Sequence, residues 1–283
     1  MDRSGLRDAG RWRRAIHRRP RADSARRTMG KTIAIECALS KEAALFFELP
    51  GEAPATEYGI VWAMRDLDGT RLAVAVAGMG TINAAATAQF LIDRFAPDAL
   101  IFSGIAGSLN PRIGMGDVVV GKRLECLESD MAIIAECAPY LESFPTDGGL
   151  VQAAEAELDS RRFERAPSLS EAGADGHASA SGTLEAHAPR YTIGAIATSD
   201  LFSTAPEDLE ELRRRYGADC EEMEGAAAAQ ICARCGVPFL AIRSISNVCG
   251  EAYGALDGRQ ADLIATARLA AEITLGVAKR IAT

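Results

Sequence analysis

Between Arg71 and Gly107 the chain reads RLAVAVAGMGTINAAATAQFLIDRFAPDALIFSGIAG. An apolar run from Arg71 to Ala77 meets Gly78-Met79-Gly80. Ala84, Ala88 and Leu91 then recur at helical spacing behind Asn83, and a second apolar run, Ala99 to Ser103, ends in Gly104, Ala106 and Gly107. Short continuous apolar runs bounded by glycine suit buried strands, whereas a three-to-four spacing puts side chains on one helix face. Parallel strands need a crossover, usually a helix, so strand, glycine turn, helix and strand together predict an α/β protein.

The same alternation extends outward. Thr32 to Cys37 reads as a buried strand leading into a helix through Glu42, Leu45 and Phe46, and Asp117 to Val120 as a strand between Gly116 and Gly121. Further on, Tyr191 to Thr198 and Pro238 to Ile245 read as strands; helices are predicted over Pro206 to Tyr216, Glu224 to Cys235 and Asp262 to Ile281. The expected fold is a central mixed, largely parallel β-sheet flanked by helices on both faces.

Residues 29–283 form the expected domain, interrupted at about 165–189 by a stretch of Ala, Ser, Gly and Pro without periodicity, read as a flexible inserted loop. Residues 1–28 carry ten arginines against three aspartates and are read as a disordered extension. It is a translated region ahead of a start at Met29, a solvated tail or a targeting arm.

With 48% hydrophobic and 25% charged residues over 283 positions, disorder along the whole chain is excluded. Outside the arm the chain has 21 basic and 36 acidic side chains, a net of −15 that repels a phosphate backbone, so nucleic acid is not expected as a partner. No apolar run approaches the roughly 20 residues of a bilayer span. Seven scattered cysteines fit reduced thiols, and a cytoplasmic location is expected.

Metal chemistry has little support. His17, His177 and His187 all fall in segments expected to be disordered, and Cys232 and Cys235 make one Cys-x-x-Cys within a helix. The same placement leaves no histidine for a Ser-His-Asp triad or a general base, so acid and base work falls to carboxylates. Gly78-Met79-Gly80 lacks the third glycine of a dinucleotide fingerprint, and taken alone the glycines are tight turns. Glu42 and the cluster Glu221, Glu222 and Glu224 stand out because apolar strands lead into them, although carboxylates at helix starts are ordinarily dipole complements or caps.

Five segments in fixed order change that reading: Ile35-Glu36-Cys37-Ala38-Leu39-Ser40-Lys41-Glu42, Gly78-Met79-Gly80-Thr81-Ile82-Asn83-Ala84-Ala85, Ser103-Gly104-Ile105-Ala106-Gly107, Glu222-Met223-Glu224-Gly225 and Arg243-Ser244-Ile245-Ser246-Asn247. Together they resemble the purine nucleoside phosphorylase and nucleosidase superfamily, and within it the 5'-methylthioadenosine/S-adenosylhomocysteine nucleosidases. The resemblance runs from Lys31 to the C-terminus apart from the loop, and implies the phosphorylase/hydrolase-like fold, a homodimer whose neighbour closes the pocket, and no cofactor.

It also implies roles. Glu42 deprotonates the attacking water, Glu224 accepts both ribose hydroxyls and Met223 packs under the sugar. Arg243 holds the neighbouring carboxylates ionised, and Glu222 is a second carboxylate of the site. Phe202 stacks on the purine where residue type alone suggests a core phenylalanine, the backbone of Ser203 reads the base edge, and Ala106 and Gly107 let base and sugar settle against backbone. Ala38, Leu39, Ile105 and Ser246 complete the expected substrate contacts. The glycine turns carry no arginine to hold phosphate, which favours hydrolysis, with Lys41 the one nearby cation and phosphorolysis the alternative.

Three departures bear on chemistry. Asn247 stands where these nucleosidases usually carry aspartate, and an amide donates a hydrogen bond but delivers no proton. Asparagine there resembles the branches acting on 6-oxopurines, futalosine hydrolase included. Ile105 replaces a small hydroxyl residue, and the inserted loop reads as a movable cover or a passive surface insertion. The expected substrate is a purine nucleoside with a 5'-thio substituent; the alternatives are a 6-oxopurine nucleosidase, a purine nucleoside phosphorylase or a non-catalytic nucleoside-binding protein.

Overall fold

The computed structural model describes residues 30–172, 188–203 and 205–282, so the arginine-rich arm, His177 and His187 lie outside the described residues. One sheet organises the chain. Its strands are β1 (Thr32–Cys37), β2 (Ala55–Glu57), β3 (Ile60–Leu67), β4 (Thr70–Val76), β5 (Ala99–Ser108), β6 (Val118–Cys126), β7 (Phe144–Pro145), β8 (Glu164–Arg165), β9 (Arg190–Thr198), β10 (Ala218–Glu222) and β11 (Phe239–Val248). They run in the order β10-β9-β6-β11-β5-β1-β4-β3-β2, with β7 beside β6 and β8 beside β9.

β1 pairs in parallel with β4 and β5, and β11 with β5, while β6 and β11 are antiparallel. β10 also pairs antiparallel with β5, through Cys220↔Ser108 and Glu221↔Gly107. The path from β10 through β9, β6, β11 and β5 therefore returns to β10, curling that half of the sheet into a closed ring.

The principal helices are α1 (Ser40–Phe47), α2 (Thr81–Phe95), α3 (Gly148–Ser160), α4 (Gly225–Cys235) and α5 (Gln260–Ala282). Successive residues of a strand face opposite sides, and β1 divides accordingly. Ile33, Ile35 and Cys37 join Phe46, Leu158, Ile273 and Val277 in one core, toward α1, α3 and α5. Ala34 and Ala38 join Ala84, Ala88, Phe102, Ala228 and Cys232 in the other, toward α2 and α4. The alanines on the second face let α2 and α4 pack closely against each other. Among the described residues no helix is long and apolar enough to cross a membrane.

Two features differ from the sequence reading. The sequence reading has β4 but not β2 and β3, which complete a meander with it, although the turns are written in Tyr58-Gly59 and Asp68-Gly69, whose φ values of 53° and 82°, and 52° and 88°, match the mirror-image turn of tight hairpins. The insertion expected over 165–189 opens with ordered structure. Ala166 is buried in a core, Leu169–Ala172 form a helical turn, and the Leu169 N–H donates to Asp219 Oδ1 at 2.9 Å. Composition misled there because one buried carboxylate organises the backbone: Asp219 also accepts from Asn110 Nδ2 at 2.7 Å and from the Ala195 N–H at 3.2 Å. Residues 173–187 of that segment lie outside the described residues.

Candidate active site

The carboxyl ends of β1, β5, β10 and β11, the loop after β9 and the start of α4 surround one cavity. Its lining includes Ala38, Leu39, Glu42, Ile105, Ala106, Gly107, Phe202, Ser203, Glu222, Met223, Glu224, Ser246 and Asn247. Arg243, grouped with them from sequence, lies beneath that lining at 1% exposure. The sequence reading assigned no role to Met79, Leu201, Cys249, Leu256, Gln260 and Leu263, which also line it. Leu256, Gln260 and Leu263 belong to the start of the C-terminal helical region, where ordinary amphipathic spacing carried no sign of a pocket.

Glu42 is placed by the sharp passage from β1 into α1. Leu39 caps the helix in extended geometry, and its N–H donates back to Glu42 Oε2 at 2.8 Å. The other oxygen, Oε1, accepts the Ile105 N–H at 2.9 Å, which ties α1 to the end of β5. Gly104 makes this possible: a Cβ there would stand 2.7 Å from Glu42 Oε1 and 2.6 Å from Arg243 Nη1. Burial pushes the Glu42 carboxyl above its ordinary range, opposed by Arg243 and by the backbone donors. A carboxylate raised in this way is a stronger base near neutral pH, while the two N–H bonds fix its direction. Ile105 thus contributes its backbone donor here.

Arg243 on β11 reaches under the cavity floor. Its Nη2 pairs with Glu222 Oε2, and its guanidinium lies 4.4 Å from the Phe102 ring centroid. Glu222 is satisfied on every side. It accepts from Thr198 Oγ1, from the Gly225 N–H at 2.8 Å and from the Glu224 N–H at 3.2 Å. These bonds clamp the end of β10 to the first residues of α4, so the turn that carries Met223 and Glu224 is held from below.

Glu224 caps α4 and turns its side chain across to the glycine turn ahead of α2, where the Gly80 N–H donates to Oε1 at 3.0 Å. Gly80 sits at φ 98°, a conformation a side chain strains, and this points its N–H into the site. Asp200 pins the same turn from the other side, accepting the Thr81 N–H at 2.8 Å and Thr81 Oγ1 at 2.6 Å. Burial, together with the neighbouring Glu222 charge, raises the Glu224 carboxyl to about 8, with Arg243 acting in the opposite direction.

Behind Glu224 lies Glu36 on β1, opposite Ala75 and Phe102 in the strand register, fully buried and with no hydrogen-bond partner on either carboxyl oxygen among the described residues. Burial first, then the Glu224 charge, pushes its carboxyl well above the ordinary range, which favours the neutral acid, with Arg243 acting in the opposite direction. In the sequence its one signal is a carboxyl inside an apolar strand.

At the other end of the cavity, β11 shifts register between Ile245 and Asn247 against β5, and Asn247 comes opposite Gly107. A bulge re-aims a side chain in this way. Ser246 Oγ donates to Asn247 Oδ1 at 2.9 Å and the amide nitrogen donates to the Val248 carbonyl at 3.3 Å, which orients the amide and leaves one N–H as the remaining donor. Phe202 is 40% exposed at the cavity rim, so the alternative of a core phenylalanine does not hold. Ser203 Oγ donates to Glu221 Oε1 at 2.6 Å, and Cys249 Sγ lies 3.9 Å from Glu221 Oε2. Lys41 is partly exposed, with Nζ 3.5 Å from Gln260 Oε1. Among the described residues no three His, Cys, Asp or Glu side chains converge as metal ligands.

This arrangement, an α/β sheet with paired carboxylates at its strand ends, can be set against known proteins. The sequence model of the Phosphorylase superfamily matches residues 32–283. The chain belongs to the phosphorylase superfamily. This superfamily member is 30% identical over 241 residues to a 5'-methylthioadenosine/S-adenosylhomocysteine nucleosidase of Mycobacterium tuberculosis, covering 80% of this chain and 89% of the relative. It superposes with a TM-score of 0.73 and 25% identity on the nucleosidase of Neisseria meningitidis in complex with methylthio-immucillin-A, covering 88% and 99% of the two chains. Its superfamily fold is shared, at 23% identity and a TM-score of 0.73, with futalosine hydrolase of Helicobacter pylori, covering 89% and 99%.

Proposed function

We propose that this protein is an N-glycosyl hydrolase that cleaves 5'-methylthioadenosine or S-adenosylhomocysteine to adenine and the ribose derivative. The observation that carries the reading is that Glu42 and Glu224, far apart in the chain, line one cavity together with Met223, Phe202 and Asn247. The nucleosidase relatives support the substrate class.

Breaking the bond between C1' and the base builds positive charge on the sugar and negative charge on the departing purine. In this reading the Glu224 carboxylate accepts hydrogen bonds from the ribose hydroxyls while Met223 packs on the sugar. Glu42 takes a proton from the water that adds to C1', a contribution of roughly 10²- to 10⁴-fold for a positioned base. Arg243 acts from beneath: paired with Glu222, it offsets the carboxylates crowded around the sugar. Phe202 stacks on the purine, and Asn247 donates to the base edge.

The apolar side chains of Met79, Ile82 and Leu201 are exposed at 48%, 82% and 64%, and Met79 and Leu201 line the cavity mouth. A second copy of the chain covering this mouth, as a homodimer, accounts for that exposure. A cytoplasmic setting accords with seven free cysteines.

Asn247 favours a second reading, a 6-oxopurine nucleosidase, because its amide nitrogen, which donates one proton to the Val248 carbonyl at 3.3 Å, keeps a second N–H that can donate to N7 or O6 of hypoxanthine. One assay separates the readings: product analysis after incubation with 5'-methylthioadenosine, futalosine or inosine, with and without phosphate. Phosphate-independent adenine release from 5'-methylthioadenosine is the expected result. Preferential hypoxanthine release supports the second reading, and a sugar 1-phosphate product contradicts hydrolysis.

A further inference from the structure

The proposed reaction leaves one demand unmet. The departing purine carries the electron pair of the broken bond, and Asn247 has no proton to give it. Of the other protonatable groups lining the cavity, Glu42 and Glu224 serve the water and the sugar, and Glu222 is bound to Arg243, Thr198 and Gly225. Lys41 belongs to the Gln260 side, and burial pushes the Cys249 thiol up to about 12. Glu221 remains.

Its position fits the base end. On β10 it pairs opposite Gly107, and Gly107 is flanked on its other edge by Asn247 of β11, so the two side chains rise on either side of one glycine. Gly107 lets the Cys249 thiol and the Asn247 amide pack down against the strand: a Cβ there would lie 2.7 Å from Cys249 Sγ and 3.2 Å from Asn247 Nδ2. Glu221 is a half-buried wall of the same cavity, oriented by the Ser203 hydroxyl at 2.6 Å.

We propose that Glu221 is the general acid of this site, delivering its proton to a ring nitrogen of the departing purine in place of the missing residue-247 carboxyl. The proposal rests on the nucleosidase reading above. As the bond between C1' and the base breaks, its electron pair moves onto the purine and the Glu221 O–H proton goes to a ring nitrogen. Water adds to C1' and gives its proton to Glu42, and the two carboxyls re-equilibrate with solvent after the products leave. The surroundings favour the protonated form of Glu221. Burial raises its carboxyl, and the charges of Glu128 on the loop after β6 and of Glu222 on its own strand add to this, while the Ser203 and Cys249 hydrogen bonds oppose it. Arg213 faces Cys249 from the helix before β10.

The test is the pH profile of kcat for adenine release from 5'-methylthioadenosine by wild type, E221Q and E221D, with thermal unfolding of each. An acid in the rate-limiting step gives an alkaline limb. The expected result is that E221Q lowers kcat about 10²-fold or more, with little change in KM and loss of that limb, while E221D, which keeps a proton, recovers part of kcat and the limb. If wild type releases adenine and E221Q matches its kcat and limb, or if E221D is no better than E221Q, the assignment is overturned and the nucleosidase reading stands. A wild-type protein that releases no base overturns the reading on which the assignment rests.

Discussion

Arg243 and Glu222 form an ion pair almost wholly removed from water, with side chains 1% and 2% exposed. Such a pair stabilises little beyond its own desolvation cost, but breaking it leaves a buried charge uncompensated. Arg243→Ala is therefore expected to lose about 3–5 kcal/mol of unfolding free energy. The double variant R243M/E222M, which removes both charges, should recover part of the loss. Urea unfolding of the three proteins checks this; equal stability of the single variant and wild type contradicts it.

Glu36 gives the opposite expectation. A buried carboxyl with no partner is a cost to the fold, so Glu36→Leu should stabilise the protein by on the order of 1–3 kcal/mol at neutral pH. The native state binds the Glu36 proton more tightly than the unfolded chain, because burial raises the carboxyl. Stability from this group is complete at acid pH and declines as pH rises above the unfolded carboxyl range. Thermal unfolding from pH 5 to 9 should show a shallower decline for E36L than for wild type, and a lower melting temperature in E36L at every pH contradicts the account.

The same sign applies to Glu224, whose carboxyl is raised to about 8. In the free protein it holds a proton below that value, yet the diol requires the carboxylate. kcat/KM should then fall about tenfold per pH unit as the pH drops below about 8, since this ratio reports the free enzyme. A steady-state profile in phosphate-free buffer measures it; a flat profile between pH 6 and 8 removes the proposed role of Glu224.

Much of this was legible in the sequence, for identifiable reasons. The strand at Thr32–Cys37 and the helix over Gln260–Ala282 follow from long unambiguous periodicities, and the glycine turns at Gly78-Met79-Gly80 and Gly104 to Gly107 marked strand ends. The β10–β5 pairing was hidden. It joins five residues ending in Glu221 and Glu222 to the far end of β5, and such polar residues read as a helix entrance. With that pairing unseen, Glu221 could not be placed opposite Gly107 and next to Asn247. Glu36 was visible as a carboxyl inside an apolar strand, but the strand's face toward α2 and α4, and with it the position behind Glu224, emerges only from the packing.

The central claim is that Glu42 activates the attacking water in a cavity where Glu224 holds the sugar. Single-turnover adenine release from 5'-methylthioadenosine by Glu42→Gln, alongside equilibrium binding of a non-hydrolysable nucleoside analogue, tests it most directly. The account predicts retained binding with a release rate at least about 10²-fold slower than wild type. A release rate equal to wild type would contradict it.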